Sequence, residues 1–385
     1  MGQTYLAQGR FRTAGPGPFK FIAISDTGQR TNAQSSIARR IAQENPSFLL
    51  HAGDIAYFAG SHSDFQSNHF DVYNFLLNTV PFFPTPGNHE YETDDAGPYL
   101  AIHSVPTGDV AAAEQGRYYS FDWGNAHFIC LDSNLSLQKA AAGTGDMLRW
   151  LERDLLATRQ FWRIATIHHS PYAVGPNQGE SPLALVRQYV VPILESHGVN
   201  LLFGGHEHSY QRTHPLRRGS VVAPGTGIVY VTTGGGGASL YHVPPSSLNV
   251  FGRSENQYVR AEVDGLGINL TAVSANGVTI DSSTIKPAPS LPLVGSMSPV
   301  AVMPSEGGSR IEISGRVLAA AEHSTGSSPA LAQLAGTTVS IDDRPIPLVY
   351  VSPTKIFAQS DAPITAPFRL RVSNPNGSAE TAILA

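Results

Sequence analysis

The chain of 385 residues has a single cysteine, Cys130, which excludes an internal disulfide and any zinc site built on several thiolates. That cysteine lies in the apolar run AHFICLDS (126–133), where a buried, inert thiol is expected. Charge is scarce too: 14% of residues are Asp, Glu, Lys or Arg, against roughly 25% in ordinary soluble domains. Lys and Arg number 25 and Asp and Glu 30, for a formal net charge of −5. With a pI near 6.3 and no long basic run, nucleic acid and anionic membrane are excluded as main partners. No apolar stretch reaches the roughly 18 residues of a membrane helix. The opening MGQTYLAQGR lacks an apolar core, so no signal peptide is expected in the sequence as given. A hydrophobic share of 41% excludes disorder as the global state.

Turn formers and histidine are plentiful. There are 37 glycines and 28 prolines, and of 14 histidines only His323 lies beyond residue 242. Histidine is both a metal ligand and an acid–base group, so chemistry is expected in the first part of the chain. The length favours one large and one small domain.

Apolar runs of strand type alternate with helical patterns up to about residue 286. Residues 3–14 read as strand ending in the turn GPGP, and FKFIAIS (19–25) as a buried strand. Ile37 and Ile41 mark one face of a helix over 33–45 that Pro46 stops. SFLL (47–50) and VPFFPT (80–85) are further strands, with a helix over 68–80 between them. YYSFDWGNAHFICLDS (118–133) predicts a hairpin, and Met147, Leu151 and Leu155 an amphipathic helix over 146–158. RIATI (163–167), VNLLFGG (199–205) and GIVYVTTGG (227–235) complete the strands, and Pro192 should kink the helix 182–197. The alternation predicts an α/β fold, a layered sheet core flanked by helices. Residues 287–304 are proline-dense and uncharged, as expected of a linker, and 305–385 carry strand patterns only, as in a small β-sandwich.

The ends of the strands carry the chemistry. FKFIAIS leads to Asp26, SFLLHAG to Asp54, VPFFPTPG to Asn88 and His89, RIATI to His168 and His169, and VNLLFGG to His206 and His208. All five are expected on one edge of a single sheet, where open α/β folds place their sites. Carboxylate, amide and imidazole without thiolate suit zinc, manganese or iron. With one of the adjacent His168 and His169 counted, seven donors exceed the needs of one ion, which implies two, with Asp54 as the bridge. Two cations lower the pKa of a shared water and neutralise phosphoryl charge. Adjacent strand residues point to opposite faces, so only one of His168 and His169 is expected to reach the metals.

Asp26-Thr-Gly, Gly-Asp54-Ile-Ala-Tyr57, Gly-Asn88-His89-Glu90, His168-His169 and Gly-His206-Glu-His208 resemble, in order, the signature blocks of calcineurin-like metallophosphoesterases. Tyr57 narrows the resemblance to purple acid phosphatases. It covers about residues 15–286 and implies the metallophosphoesterase fold, a β-sandwich flanked by helices. It also implies hydrolysis of small phosphate monoesters at acidic pH by a metal-bound hydroxide. By the same resemblance Asp26, Asp54, Tyr57 and His208 hold Fe(III). Asp54, Asn88, His168 and His206 hold a divalent Fe, Zn or Mn, and His89 together with Asn88 contacts substrate. A phosphodiesterase or nucleotidase is the alternative, then a non-catalytic cell-wall-binding protein. The loop 170–182 lacks the histidines of plant-type members and offers Tyr172, Asn177, Gln178 and Glu180, so the general acid stays open. Glu90 replaces the commoner Asp and should keep its contact. Residues 1–14 resemble the last strand of a fibronectin-like domain. The tail from 305 is similar to immunoglobulin-like IPT/TIG modules of secreted bacterial proteins, which implies a secreted, periplasmic or cell-surface location. His51 is expected to support the site or the core, and of the remaining histidines His62 and His69 are expected nearest to it. The glycines 234–237 are expected to form a flexible turn, since no Gly-Lys-Ser/Thr follows.

Overall fold

The computed structural model describes residues 10–286, apart from 16 and 266, and parts of the stretch 293–383. The chain divides into two compact units, 1–158 with 162–286, and 287–385 with 159–161.

The first unit is built on two sheets. One has six strands, in which β1 (Phe19–Ile24), β2 (Phe48–His51) and β3 (Phe82–Pro84) lie side by side and parallel. Antiparallel strands Gln257–Asp264, Gly267–Ser274 and Thr279–Ile285 extend it beyond β1. The other has seven strands. The hairpin β4 (Tyr119–Trp123) and β5 (Ala126–Leu131) is followed in the sheet by β6 (Trp162–His169) and β7 (Leu201–Gly205), with β5, β6 and β7 parallel. Strands Val229–Thr233, Tyr210–Thr213 and Asn249–Arg253 complete that sheet.

Aromatic rings join the two sheets. Phe48 on β2 packs against six of them: Phe19, Phe21, Phe83, Phe121, Trp123 and Phe128, with centroids 4.9–6.2 Å away. Phe21 also meets Phe203 of β7 edge-on at 5.9 Å. Such rings each bury a large apolar area, and their edge-to-face geometry fixes how the sheets are seated on one another. Helices cover the outer faces. Asn32–Glu44 buries Ile37, Ala38 and Ile41 against the first sheet and ends at left-handed Asn45, one residue before Pro46. Met147–Ala157 buries Met147, Trp150, Leu151 and Leu155 against the second.

Several elements differ from their sequence patterns. Helical structure begins at His62, six residues before the expected 68, because Ser61 and Asp64 form a capping box, and the run ends at Leu77. It passes through a π-type turn, Phe65–Phe70. The helix at 181–196 is also continuous, with a second π-type turn at Val186–Val190. Pro192 has no amide hydrogen to donate to that turn, and the widened turn takes up the kink expected there. Of the strand expected at 3–14, residues 3–9 lie outside the described residues and 10–14 form no strand; Arg10 N donates to Asn78 O at 3.0 Å instead.

In the second unit the described strands are antiparallel and form two sheets, around Ile311, Ile313, Val339, Leu348, Ile356, Leu370 and Val372. Among the described residues it is all β. Of the segment expected to be a linker, 287–292 and 295–299 lie outside the described residues, while Leu293–Val294 and Val300–Ser305 are strands. Val300–Ser305 pairs in register with Gly308–Arg316 and lays Val302 on the unit's core, so its alternating apolar residues outweigh its lack of charge as a guide.

Candidate metal centre

Donor-bearing loops follow β1, β2 and β3 of the first sheet and β7 of the second, and His168 and His169 end strand β6 itself. The expectation of a single sheet edge is thereby corrected: the donors converge from the ends of two stacked sheets. Asp26, Asp54 and His206 stand just past β1, β2 and β7 with φ of +56°, +55° and +70°. A left-handed backbone costs a non-glycine residue roughly 1–2 kcal/mol, and strain of this kind collects where function fixes a side chain. The close packing also demands glycine. A Cβ on Gly87 would collide with the Asp54 carboxylate, and one on Gly205 with the side chains of Ser25 and Asp26.

The side chains meet in two adjoining groups. In the first, the Tyr57 hydroxyl lies 3.1 Å from Asp26 Oδ1, 2.8 Å from Asp54 Oδ2 and 3.0 Å from His208 Nε2. In the second, Asn88 Oδ1 lies 3.0 Å from both His168 Nε2 and His206 Nδ1, and His168 Nε2 is 3.4 Å from Asp54 Oδ2. Asp54 Oδ2 therefore stands between the groups. One donor atom each of Asp26, Asp54 and His208 lies within 4.8 Å of the others, and the same holds for His168, His169 and His206.

Each inward imidazole is anchored through its other nitrogen. His168 Nδ1 bonds Ala52 O at 2.8 Å, His208 Nδ1 bonds Ser239 O at 2.7 Å, and His206 Nε2 bonds Glu180 Oε2 at 2.9 Å. That is how metal-ligating histidines are oriented in general. Tyr241 stacks flat on His208, 4.2 Å between centroids at 8°. Glu90, fully buried, accepts from the amides of Asp54 (2.9 Å), Ile55 (2.8 Å), Ala56 (3.2 Å) and Gly87 (2.7 Å), which ties the two donor loops together.

The electrostatics fit cations. Asp26 and Asp54 are buried, and among the described residues neither pairs with Lys or Arg. Burial, then Asp54 and Asp26, push the Tyr57 phenol well above its ordinary value, so the phenolate requires a nearby cation. Burial opposes a charge on His168, yet the Asp54 carboxylate outweighs it and raises the imidazole to about 10. The proton so favoured on His168 is one that a divalent ion at Nε2 would release on binding. The residues present thus suit two hard-to-borderline cations held by oxygen and imidazole.

Residues 19–210 match the family described as calcineurin-like phosphoesterase. The first unit belongs to that family. An uncharacterized protein of Mycobacterium tuberculosis is 28% identical to the chain over 228 residues, 50% of this chain and 42% of that one. Purple acid phosphatase 23 of Arabidopsis thaliana is 26% identical over 251 residues, 57% of this chain and 53% of the relative. The chain therefore spans about half the length of the curated relatives it matches. The purple acid phosphatase PPD1 of yellow lupin (Lupinus luteus) seeds shares the fold, with a TM-score of 0.62 at 20% identity over 71% of this chain and 54% of that one.

The phosphoesterase unit departs from expectation at several side chains. His169 does not turn away: the register of β6 against β7 shifts between Thr166 and His169, and this irregularity breaks the strict alternation of faces. Both histidines come to the centre, with His169 1% exposed and its Nδ1 2.7 Å from Ser133 Oγ. His89 packs on the Tyr57 ring, 4.2 Å between centroids, with Nε2 3.9 Å from Asp54 Oδ2. His62 is exposed at the start of its helix, and His69 is buried beside Phe82 rather than at the centre. The glycines at 234–237 lie against the β1 end, where Gly236 N donates to Ser25 O at 3.0 Å; they are a packing surface, not a free turn. Sequence reasoning missed Asp132, whose Oδ2 accepts from the Tyr91 hydroxyl at 2.6 Å, and Arg117, which donates to that same hydroxyl at 2.6 Å. Asp132 follows the end of β5, so the strand-end pattern extended to FICLDSN could have found it.

Proposed function

We propose that the phosphoesterase unit is a dinuclear acid phosphatase of the purple type, hydrolysing phosphate monoesters at acidic pH. The observation that carries this is the Tyr57 hydroxyl seated among Asp26, Asp54 and His208. Asp26, Asp54, Tyr57 and His208 would hold Fe(III). Asp54, Asn88, His168 and His206 would hold a divalent Fe, Zn or Mn. Bound there, the two cations supply a water of lowered pKa and neutralise charge on the phosphoryl oxygens. Asp54 joins the two positions, and Glu90 keeps its loop in place against that of Asn88. His89, fixed by Tyr57, steadies a phosphoryl oxygen and is placed to hand a proton to the leaving alkoxide. A phosphodiesterase or nucleotidase would use the same residues. For the second unit we propose an immunoglobulin-like module, and a secreted, periplasmic or cell-surface setting.

Steady-state turnover of p-nitrophenyl phosphate against bis-p-nitrophenyl phosphate tests the reaction: the monoester is expected to be preferred, and no turnover of either by metal-loaded protein would refute the enzyme. Fe(III) on Tyr57 should give a visible charge-transfer band that Tyr57→Phe abolishes. A colourless protein with two zinc or manganese ions would overturn the purple assignment.

A further inference from the structure

Beside the centre, the wall of the substrate cavity carries charge of one sign. The cavity, about 500 Å³, opens off Asn88, His169 and His206 and is walled further out by Glu92, Asp95, Asn134, Gln138 and Glu180; among the described residues no Lys or Arg lines it. Arg117, the cation nearby in the sequence of contacts, is 7% exposed and directs its donors to the Tyr91 hydroxyl (2.6 Å) and Asp95 O (2.9 Å). The Tyr91 hydroxyl donates to Asp132 Oδ2, so it is already engaged on both sides. Both amide-hydrogen contacts of Asn134 are internal, to Asp132 Oδ1 at 3.1 Å and Pro86 O at 3.4 Å, which leaves its oxygen as the free group. His169, 1% exposed, lines the same cavity, and its Nε2 has no partner among the described residues. The outer wall therefore presents three carboxylates, the Asn134 oxygen and the Gln138 amide, with negative charge and no positive charge among the described residues.

We propose that the substrates are phosphate monoesters of alcohols that carry hydroxyl or ammonium groups and no negative charge, with Glu92, Asp95 and Glu180 rejecting anionic leaving groups. This rests on the phosphatase reading above. Donors on the alcohol satisfy the wall, whereas a carboxylate or second phosphate is set against like charge, the arrangement by which sites discriminate.

Two matched pairs test it on the metal-loaded full chain: glycerol 3-phosphate against 3-phosphoglycerate, and phosphoethanolamine against phosphoglycolate. Within each pair a hydroxymethyl or aminomethyl group is exchanged for a carboxylate. The first member is expected to have at least tenfold higher kcat/KM. That ratio should fall at least threefold in the Glu92→Gln, Asp95→Asn double variant, and fall with rising ionic strength as screening grows. Equal kcat/KM within the pairs, or a ratio that neither the variant nor salt moves, overturns the inference while p-nitrophenyl phosphate turnover keeps the phosphatase reading. Failure to turn over p-nitrophenyl phosphate as well overturns both.

Discussion

Acid should weaken this fold through three histidines that close around Phe82. The rings of His51, His69 and His103 lie 5.6, 5.1 and 5.7 Å from that ring, and each keeps one buried nitrogen without a partner. Burial pushes His51 down to about 3 and His103 to about 4, and drives His69 well below its ordinary value. A histidine with a lower pKa folded than unfolded stabilises the fold above 6.5, and that support is lost as the pH falls toward the folded value. Between pH 6.5 and 5.0 the unfolded chain gains a proton at His51 that the folded protein refuses. At about 1.36 kcal/mol per unit this is about 2 kcal/mol for His51 alone. The three together approach about 6 kcal/mol, a large part of the roughly 5–15 kcal/mol of an ordinary domain. Urea unfolding of metal-free wild type and His51→Leu at pH 7.5 and 5.0 measures it. The variant loses the Thr27 hydroxyl contact (3.0 Å) and should be roughly 1–2 kcal/mol less stable at pH 7.5. At pH 5.0 the gap should close or reverse. A gap that is the same at both pH values would refute the reasoning.

Three other outcomes follow from the same structure. Burial opposes a charge on His127, but hydrogen bonds to Asp122 and Asp154 outweigh it and raise it to about 9, so its support is complete below 6.5 and is lost as the pH climbs through 9. Melting curves at pH 7 and 10 should show about 3 kcal/mol of loss, which Asp154→Asn should cut by about half because Asp122 keeps its own contact with His127 Nδ1 at 2.6 Å. Glu90→Gln sets an amide NH2 against amides that now donate to a carboxylate; roughly 2–4 kcal/mol of stability is expected to go, with weaker retention of both metals on dialysis. Phe48→Ala should cost about 3–5 kcal/mol in urea unfolding, and an unchanged midpoint would mean the inter-sheet rings do not share one core.

Much of the centre was legible because the pattern is local: an apolar strand followed within a few residues by Asp, Asn or His needs no knowledge of the partner strands. What was hidden depends on contacts distant in sequence. That β1, β2 and β3 belong to one sheet and β6 and β7 to another cannot be read from strand ends, since both arrangements bring donors together. The inward turn of His169 comes from a register shift, which alternation cannot anticipate. Tyr91, Arg117 and Asp132 form a network only when three separate loops meet. The alternating Val300 and Val302 were overshadowed by the prolines around them, although their spacing already suited a strand.

The division of donors between two sheets also decides when the centre can exist. Asp26 and His206 are 180 residues apart in the chain and touch only across the closed sandwich. No single sheet can assemble either cation position, so loading must follow the seating of the aromatic core, and each ion then acts as a clasp across it. An ion present at one hundred times its dissociation constant adds about 2.7 kcal/mol to the folded state. Metal supply thereby becomes a determinant of how long the protein survives, separate from whether it turns over substrate.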